Sequence, residues 1–289
     1  MDGEIVWMKY SQGAYSSLGP LVHDNRLFFG GAKTLKSYDK EGRLIWSVLT
    51  NKKTTGLSIK DSVIYNVRRG EGLFANDIYS GKELWNLKPN YQMLTASGPT
   101  IKDSLLIIGN FDYKEGEGNH LTCISINDKS VKWQLKNNGY FNNSAVIQDN
   151  YVIINSDSAY VKGYTYKVDL QSGNVLWRTE TNPVLFYQSK IMAENVFVPS
   201  YDDGIYCLNM EDGEVMWKLT DEYYPDSELL LYDDILYFGT TSREFVGVNS
   251  LGKIIFTSKF EYGIGNPFVY NQEVYVNDGK GRLFKINIK

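Results

Sequence analysis

The sequence predicts an all-β fold: a seven-bladed β-propeller with four antiparallel strands per blade, the last blade closed by the N-terminal strand. Three observations predict it. A large aromatic recurs at Trp7, Trp46, Trp85, Trp133, Trp177, Trp217 and Phe256, with gaps of 39, 39, 48, 44, 40 and 39 residues, and the stretch beyond Phe256 plus the stretch before Trp7 makes a last interval of 40. Glycine stands four residues before the aromatic at Gly3, Gly42, Gly81, Gly173, Gly213 and Gly252. Asp or Asn opens the same turn at Asp39, Asp77, Asn127, Asp169, Asn209 and Asn249.

Each repeat is built from these parts. Asp and Asn side chains hydrogen-bond turn backbone, and glycine supplies the left-handed conformation a hairpin requires. The third repeat carries Lys129 at the glycine position, which predicts a looser turn there. Upstream of each turn come three alternating runs, 19–23, 26–30 and 35–38 in the first repeat, with Val, Ile, Leu, Tyr and Phe on alternate positions. That pattern suits half-buried antiparallel strands, and no sustained helical period competes with it.

The termini predict how the ring shuts. Residues 4–8 read as a single outermost strand, and 267–270, 273–277 and 283–287 read as the other three strands of one blade. Pairing the first segment with the last three covers an edge that otherwise invites intermolecular pairing. The whole of 1–289 is therefore expected to form a single domain, large enough to bury its core without disulfides.

Composition narrows the partners. Thirty basic and 34 acidic residues give a net charge of -4 with no recurring basic stripe, which argues against nucleic-acid binding. No apolar run reaches the length of a membrane span. Residues 1–4 lack the features of a secretion leader, so the chain as written reads as cytoplasmic, or as periplasmic or secreted if a leader has been removed. Cys123 and Cys207 fall in third strands of nonadjacent blades, too far apart for a disulfide, and read as buried free thiols. With only His23 and His120 available, a histidine-based triad has little to draw on. Asp202–Asp203 and Asp233–Asp234 read as turn residues. No metal or cofactor site is expected.

The repeat phrase, seen whole from Leu208 through Asn209 and Gly213 to Trp217, resembles the tryptophan-docking repeat of the pyrroloquinoline-quinone-like propellers along the full chain. That family includes quinone-dependent alcohol and glucose dehydrogenases, the lipoprotein scaffold of outer-membrane barrel assembly, and binding propellers. The alcohol dehydrogenases have eight blades, a pair of neighbouring cysteines and a calcium ion near a catalytic Asp. This chain has seven repeats and no adjacent cysteines, so the resemblance implies a noncatalytic member. It also has one blade fewer than the assembly scaffold and no lipid-attachment cysteine near its start.

The loops point to binding. Connections leading into first strands carry Tyr10, Tyr15, Tyr91, Met93, Tyr140, Phe141, Phe186, Tyr187, Tyr223, Tyr224 and Tyr262. Second-to-third connections add Arg68, Arg69, Asp112, Tyr113, Tyr160 and Tyr201, with excess length at 110–119 and 156–163. A surface rich in Tyr with some Phe, Met and Arg is the composition of protein interfaces. The expected function is a noncatalytic protein-binding propeller, a scaffold or an immunity-type antagonist, with blades two to five at the centre of the site. The alternative is saccharide or small-ligand binding in the central funnel; quinone-dependent dehydrogenation ranks below both.

Overall fold

The computed structural model describes residues 20–89, 93, 95, 97–110, 119–137, 139–141, 143–158, 162–182, 187–200, 203–220 and 223–287. Twenty-seven strands form seven antiparallel sheets, each ordered as its strands occur in the chain. The first holds β1 (Leu21–His23), β2 (Arg26–Gly30), β3 (Thr34–Asp39) and β4 (Leu44–Leu49). The second holds β5 (Thr54–Lys60), β6 (Val63–Arg68), β7 (Gly72–Asp77) and β8 (Glu83–Leu87), and the third β9 (Thr100–Lys102), β10 (Leu105–Gly109), β11 (His120–Ser125) and β12 (Ser130–Lys136). The fourth comprises β13 (Val146–Gln148), β14 (Tyr151–Ser158), β15 (Lys162–Asp169) and β16 (Val175–Glu180), and the fifth β17 (Lys190–Met192), β18 (Asn195–Ser200), β19 (Gly204–Asn209) and β20 (Val215–Leu219). The sixth comprises β21 (Leu230–Tyr232), β22 (Ile235–Gly239), β23 (Glu244–Val248) and β24 (Ile254–Lys259). The seventh shows three strands, β25 (Phe268–Tyr270), β26 (Glu273–Asn277) and β27 (Leu283–Ile286). Its expected fourth strand, residues 4–8, lies outside the described residues.

Contacts divide the chain into two compact units, Met1–Ser144 with the first three sheets and Ala145–Lys289 with the other four. In the first unit, Phe28, Leu35 and Trp46 meet Leu57, Ile64 and Ile78, and Tyr65, Val67 and Ala75 meet Leu106, Ile108 and Ile124. In the second unit the same layering recurs: Ile153 and Trp177 against Val196 and Tyr206, Phe197 and Cys207 against Leu236 and Phe238, Tyr237 and Phe245 against Val274 and Val276. Middle strands are sandwiched between neighbouring sheets, so β6, β10, β18 and β22 are buried along nearly their whole length.

The periodic aromatic is explained by what it reaches. Trp46 Nε1 donates to the Ile78 carbonyl at 2.9 Å, Trp177 to Met210 at 3.0 Å and Trp217 to Ser250 at 2.9 Å. Each acceptor belongs to the turn of the following sheet, one residue past the Asp or Asn that opens it. The turn glycine lies beneath the indole: a methyl group added to Gly213 would sit 2.6 Å from the Trp177 ring, and its φ is +76°. Gly81 beneath Trp46 and Gly252 beneath Trp217 repeat the arrangement. Glycine is thus required by both conformation and room.

The third turn is not looser than the others. Lys129 adopts φ +57°, close to the glycine conformation, and Trp133 pairs with Cys123 just as Trp85 pairs with Ala75 and Trp217 with Cys207. Pairing continues to Ser125 and Ser130, and the Ser125 hydroxyl accepts the Asp128 amide at 3.2 Å, so local hydrogen bonds hold the turn without glycine. Trp85, whose following turn is this one, makes no indole hydrogen bond among the described residues. Phe256 packs edge-on against Phe245, with centroids 6.2 Å apart. It stands before the seventh sheet, which has no third-to-fourth turn among the described residues, and a phenyl ring carries no N–H that needs one.

Three of the first-to-second strand turns use paired left-handed residues, Asp24 and Asn25, Asp233 and Asp234, Asn271 and Gln272, and the other four use one, Asp61, Asp103, Asp149 or Ala193. The paired turns have the twist that matches an antiparallel pair, so Asp233–Asp234 is a turn device, as expected. Within the excess length at 156–163, residues 156–158 and 162–163 are strand rather than loop, because Ser156, Asp157 and Ser158 pair with Tyr164, Gly163 and Lys162; residues 159–161 lie outside the described residues. The other long connection, 111–118, lies outside the described residues. Among the described residues no helix is long and apolar enough to cross a membrane.

Candidate functional site

Four first strands, β13, β17, β21 and β25, are anchored by the polar residue two positions ahead of them. Ser144 Oγ donates to the Gly98 carbonyl at 3.3 Å in the first unit. In the second, Gln188 Nε2 donates to the Ala145 carbonyl at 2.9 Å, a Glu228 carboxylate oxygen accepts the Gln188 amide at 3.3 Å, and Asn266 Oδ1 accepts the Glu228 amide at 2.9 Å. In the fifth, sixth and seventh sheets one polar side chain therefore reaches back to the sheet before it. Gly98 holds the same place in the third sheet, where a Cβ would lie 2.7 Å from the Leu57 carbonyl. These anchors fix the loops next to them, and sequence reasoning missed them. Their signal is a polar residue at a constant offset from strands only three residues long.

The anticipated loop residues separate into three groups. Arg69 is exposed, and Tyr140, Tyr187, Tyr223 and Tyr224 are half-buried with part of each ring at the surface. Arg68, Met93 and Phe141 are buried, which corrects the expectation that they offer contact area. Met93 packs with Tyr65, Val67 and Leu106. Phe141 covers Gly109, whose missing side chain makes room for it. The Arg68 guanidinium lies 3.6 Å from the Phe74 ring centroid and 3.4 Å from Glu83, and burial lowers its pKa even with that carboxylate near. The candidates Tyr10, Tyr15, Tyr91, Asp112, Tyr113, Tyr160, Phe186 and Tyr201 lie outside the described residues.

Asp203 is no solvated turn residue. Its carboxylate takes Lys218 as an ion pair and accepts hydrogen bonds from the Tyr206 hydroxyl and from Asn182 Nδ2. Burial pulls its pKa upward, but the donors from Lys218 and Tyr206 outweigh this and hold it below the ordinary aspartate value. Glu228 goes the other way: burial raises its pKa despite Lys190 and the Gln188 amide. Cys123 and Cys207 are free and buried, and burial pushes their thiols up to about 11 and about 12. Nucleophilic chemistry at either is disfavoured, because the reactive species is the thiolate.

In the first unit a groove of about 270 Å³ lies among Pro20, Leu21, Leu57, Ser58, Gly98, Pro99 and Ser144. No aromatic ring lines it, and the hydroxyls of Ser58 and Ser144 are already donated to the carbonyls of Pro99 and Gly98.

Similarity to known proteins is consistent with this architecture. The chain is 23% identical over 218 residues to an outer membrane protein assembly factor BamB of Legionella pneumophila; the match covers 69% of this chain, which spans about half (53%) of that protein. The crystal structure of BamB from Moraxella catarrhalis superposes with a TM-score of 0.76 at 18% identity, over 92% of this chain and 80% of that one. A quinohemoprotein alcohol dehydrogenase from Pseudomonas putida superposes with a TM-score of 0.56 at 14% identity, over 71% of this chain and 41% of that one. The two structural likenesses speak to the fold alone. A family model described as "Outer membrane protein assembly factor BamB" matches residues 31–191 and 161–223, well over half of the sequence, and the chain belongs to this family of pyrroloquinoline-quinone-like β-propellers.

Proposed function

We propose that this chain is a noncatalytic protein-binding propeller that acts as a scaffold, with contacts made through the loops leading into first strands and joining second to third strands. The observation that carries the reading is the family match to an assembly factor, joined to loops that keep Tyr140, Tyr187, Tyr223 and Tyr224 partly at the surface on anchored backbone. Half-buried tyrosines offer apolar area and a hydroxyl at low entropic cost, which suits protein recognition. A scaffold is favoured over an immunity-type antagonist because the matched relatives are outer-membrane assembly factors. The same likeness favours the periplasm over the cytoplasm.

We further propose that the chain forms one seven-bladed domain and that residues 4–8 complete the seventh blade along the outer edge of β27. Lys285 of β27 stands opposite Tyr275 as Lys167 of β15 stands opposite Ile153, and Lys167 pairs onward with Trp177. By this register Trp7 is the partner of Lys285.

The test is copurification of the tagged protein from the envelope fraction of its host, as wild type and as the Tyr140→Ala/Tyr187→Ala/Tyr223→Ala variant. A stoichiometric outer-membrane assembly component should accompany the wild type and be lost from a variant that melts normally. Retention by the variant overturns the assignment of the loops. Turnover of alcohols with added quinone and calcium would overturn the noncatalytic reading.

A further inference from the structure

Arg243, Lys259, Lys280 and Arg282 gather on the loops of the sixth and seventh sheets, in a protein whose net charge is -4. Hydrogen bonds tie three segments into one surface. The Phe260 amide donates to the Arg243 carbonyl at 2.8 Å, an Arg243 guanidinium nitrogen donates to the Glu261 carbonyl at 3.0 Å, and the Gly279 amide donates to the Gly263 carbonyl at 2.8 Å. Ile264 and Asp278 add an antiparallel bridge.

Two cations share one ring at the centre. Lys280 Nζ lies 5.1 Å and Arg282 Cζ 5.2 Å from the centroid of Tyr262. Arg282 is held there by Asp278 at 2.6 Å and Glu261 at 3.2 Å. Lys280 and Arg243 are exposed, and among the described residues neither has a carboxylate within ion-pair distance. Arg282 is compensated by its two carboxylates, which leaves Lys280 and Arg243 as the cations open to an added anion.

Arg243 is also kept at a backbone cost. The turn from Thr240 to Glu244 repeats the hydrogen bonds of the turn from Asp278 to Arg282, and Arg243 at φ +64° occupies the place that Gly281 fills at φ +78°. Glycine would be easier in that conformation. Beside Tyr262, a side chain added to Gly263 or Gly281 would meet nothing within 4 Å, so a partner's main chain can approach closely.

We propose that Arg243, Lys280 and Arg282 around Tyr262 form a docking patch for a carboxylate-rich peptide segment of a partner protein. Separate cations on an aromatic floor match Asp and Glu side chains carried along a strand or turn. The cations stand as separate points rather than as a stripe, which suits short carboxylate side chains better than a continuous phosphate backbone. The patch lies on loops of the two classes assigned above, the connection into β25 and the second-to-third connections of the sixth and seventh sheets, so it deepens that reading; the peptide assay leaves Tyr140, Tyr187 and Tyr223 untouched, so the two readings fail separately.

The experiment is fluorescence anisotropy of a fluorescein-labelled hexaglutamate peptide with the full chain at low salt. Saturable binding is expected, weakening as salt rises and falling about tenfold for Arg243→Gln/Lys280→Gln. Lys280→Gln alone should weaken it in the same direction, and this variant should keep the wild-type melting temperature because the lysine is exposed and, among the described residues, rests on Tyr262. The control Lys82→Gln/Lys253→Gln removes two exposed charges from other turns and should bind like the wild type. No saturable binding, equal binding by the double variant, an equal loss in the control, or displacement of the peptide by a short oligothymidylate more readily than by unlabelled hexaglutamate would each overturn the proposal.

Discussion

Trp177 and Met210 are joined by a hydrogen bond from the indole Nε1 to the main-chain carbonyl at 3.0 Å, and Lys167 Nζ donates to the same oxygen at 2.9 Å. The carbonyl is thus fixed by two donors from the preceding sheet, while Lys167 also lies 4.0 Å from the Tyr151 ring centroid. Trp177→Ala should cost about 3 to 5 kcal/mol through the lost packing. Trp177→Phe should cost only about 1 kcal/mol, since Lys167 still satisfies the carbonyl. Urea unfolding of the two variants checks the difference.

Gly213 lies under that indole in a left-handed conformation. Gly213→Ala therefore meets both a backbone penalty and a clash, and should destabilise by about 2 kcal/mol or more. Lys129→Gly, at the matching place in the third sheet, should instead raise stability by up to about 1 kcal/mol by relieving a left-handed lysine. The opposite signs are read from paired thermal melts.

Asp203 and Glu228 should shape the pH profile in opposite directions. The folded-state pKa of Asp203 is depressed, so its contribution is present above the ordinary aspartate value and is lost as pH falls through the lower folded value. Asp203→Asn should flatten the acid limb of a plot of melting temperature against pH. Glu228 is raised, so its contribution is present below the ordinary glutamate value and is lost as pH rises through the folded one. Glu228→Gln should melt higher than wild type at neutral pH, and a lower melting point there would contradict the assigned burial cost.

Both thiols should be silent in the native state. With Cys123 and Cys207 pushed up to about 11 and about 12, a disulfide-exchange reagent at mildly alkaline pH should label neither until the chain is unfolded. Rapid labelling of native protein would show that one of them is reached by solvent.

Removal of residues 1–9 tests the closure of the seventh blade. A shortened chain should lose the single cooperative transition, because β27 then keeps an open edge. An unchanged melt would dismiss the pairing of Trp7 with Lys285.

The architecture was legible because it is written in short-range chemistry repeated many times. The offset from Gly213 to Trp217 and the Asn209 before them specify a turn, and the turn specifies where the next indole docks. Lys129 misled because the rule concerned glycine, whereas the turn needs only a left-handed residue and local hydrogen bonds. Arg68, Met93 and Phe141 misled for a related reason: position in a loop says nothing of whether a side chain turns inward, and Gly109 opens the space that Phe141 fills. The Tyr262 patch was hidden because its cations and its ring come from three separated segments that only pairing brings together.

The anchors ahead of the first strands give the chain a temporal polarity. Gln188, Glu228 and Asn266 each grip backbone synthesised earlier, whereas Trp46, Trp177 and Trp217 must wait for a turn that has yet to be made. As the polypeptide grows, the fifth, sixth and seventh modules can therefore clasp their predecessors at once, whereas an indole such as Trp177 leaves its own margin unlatched until a successor arrives.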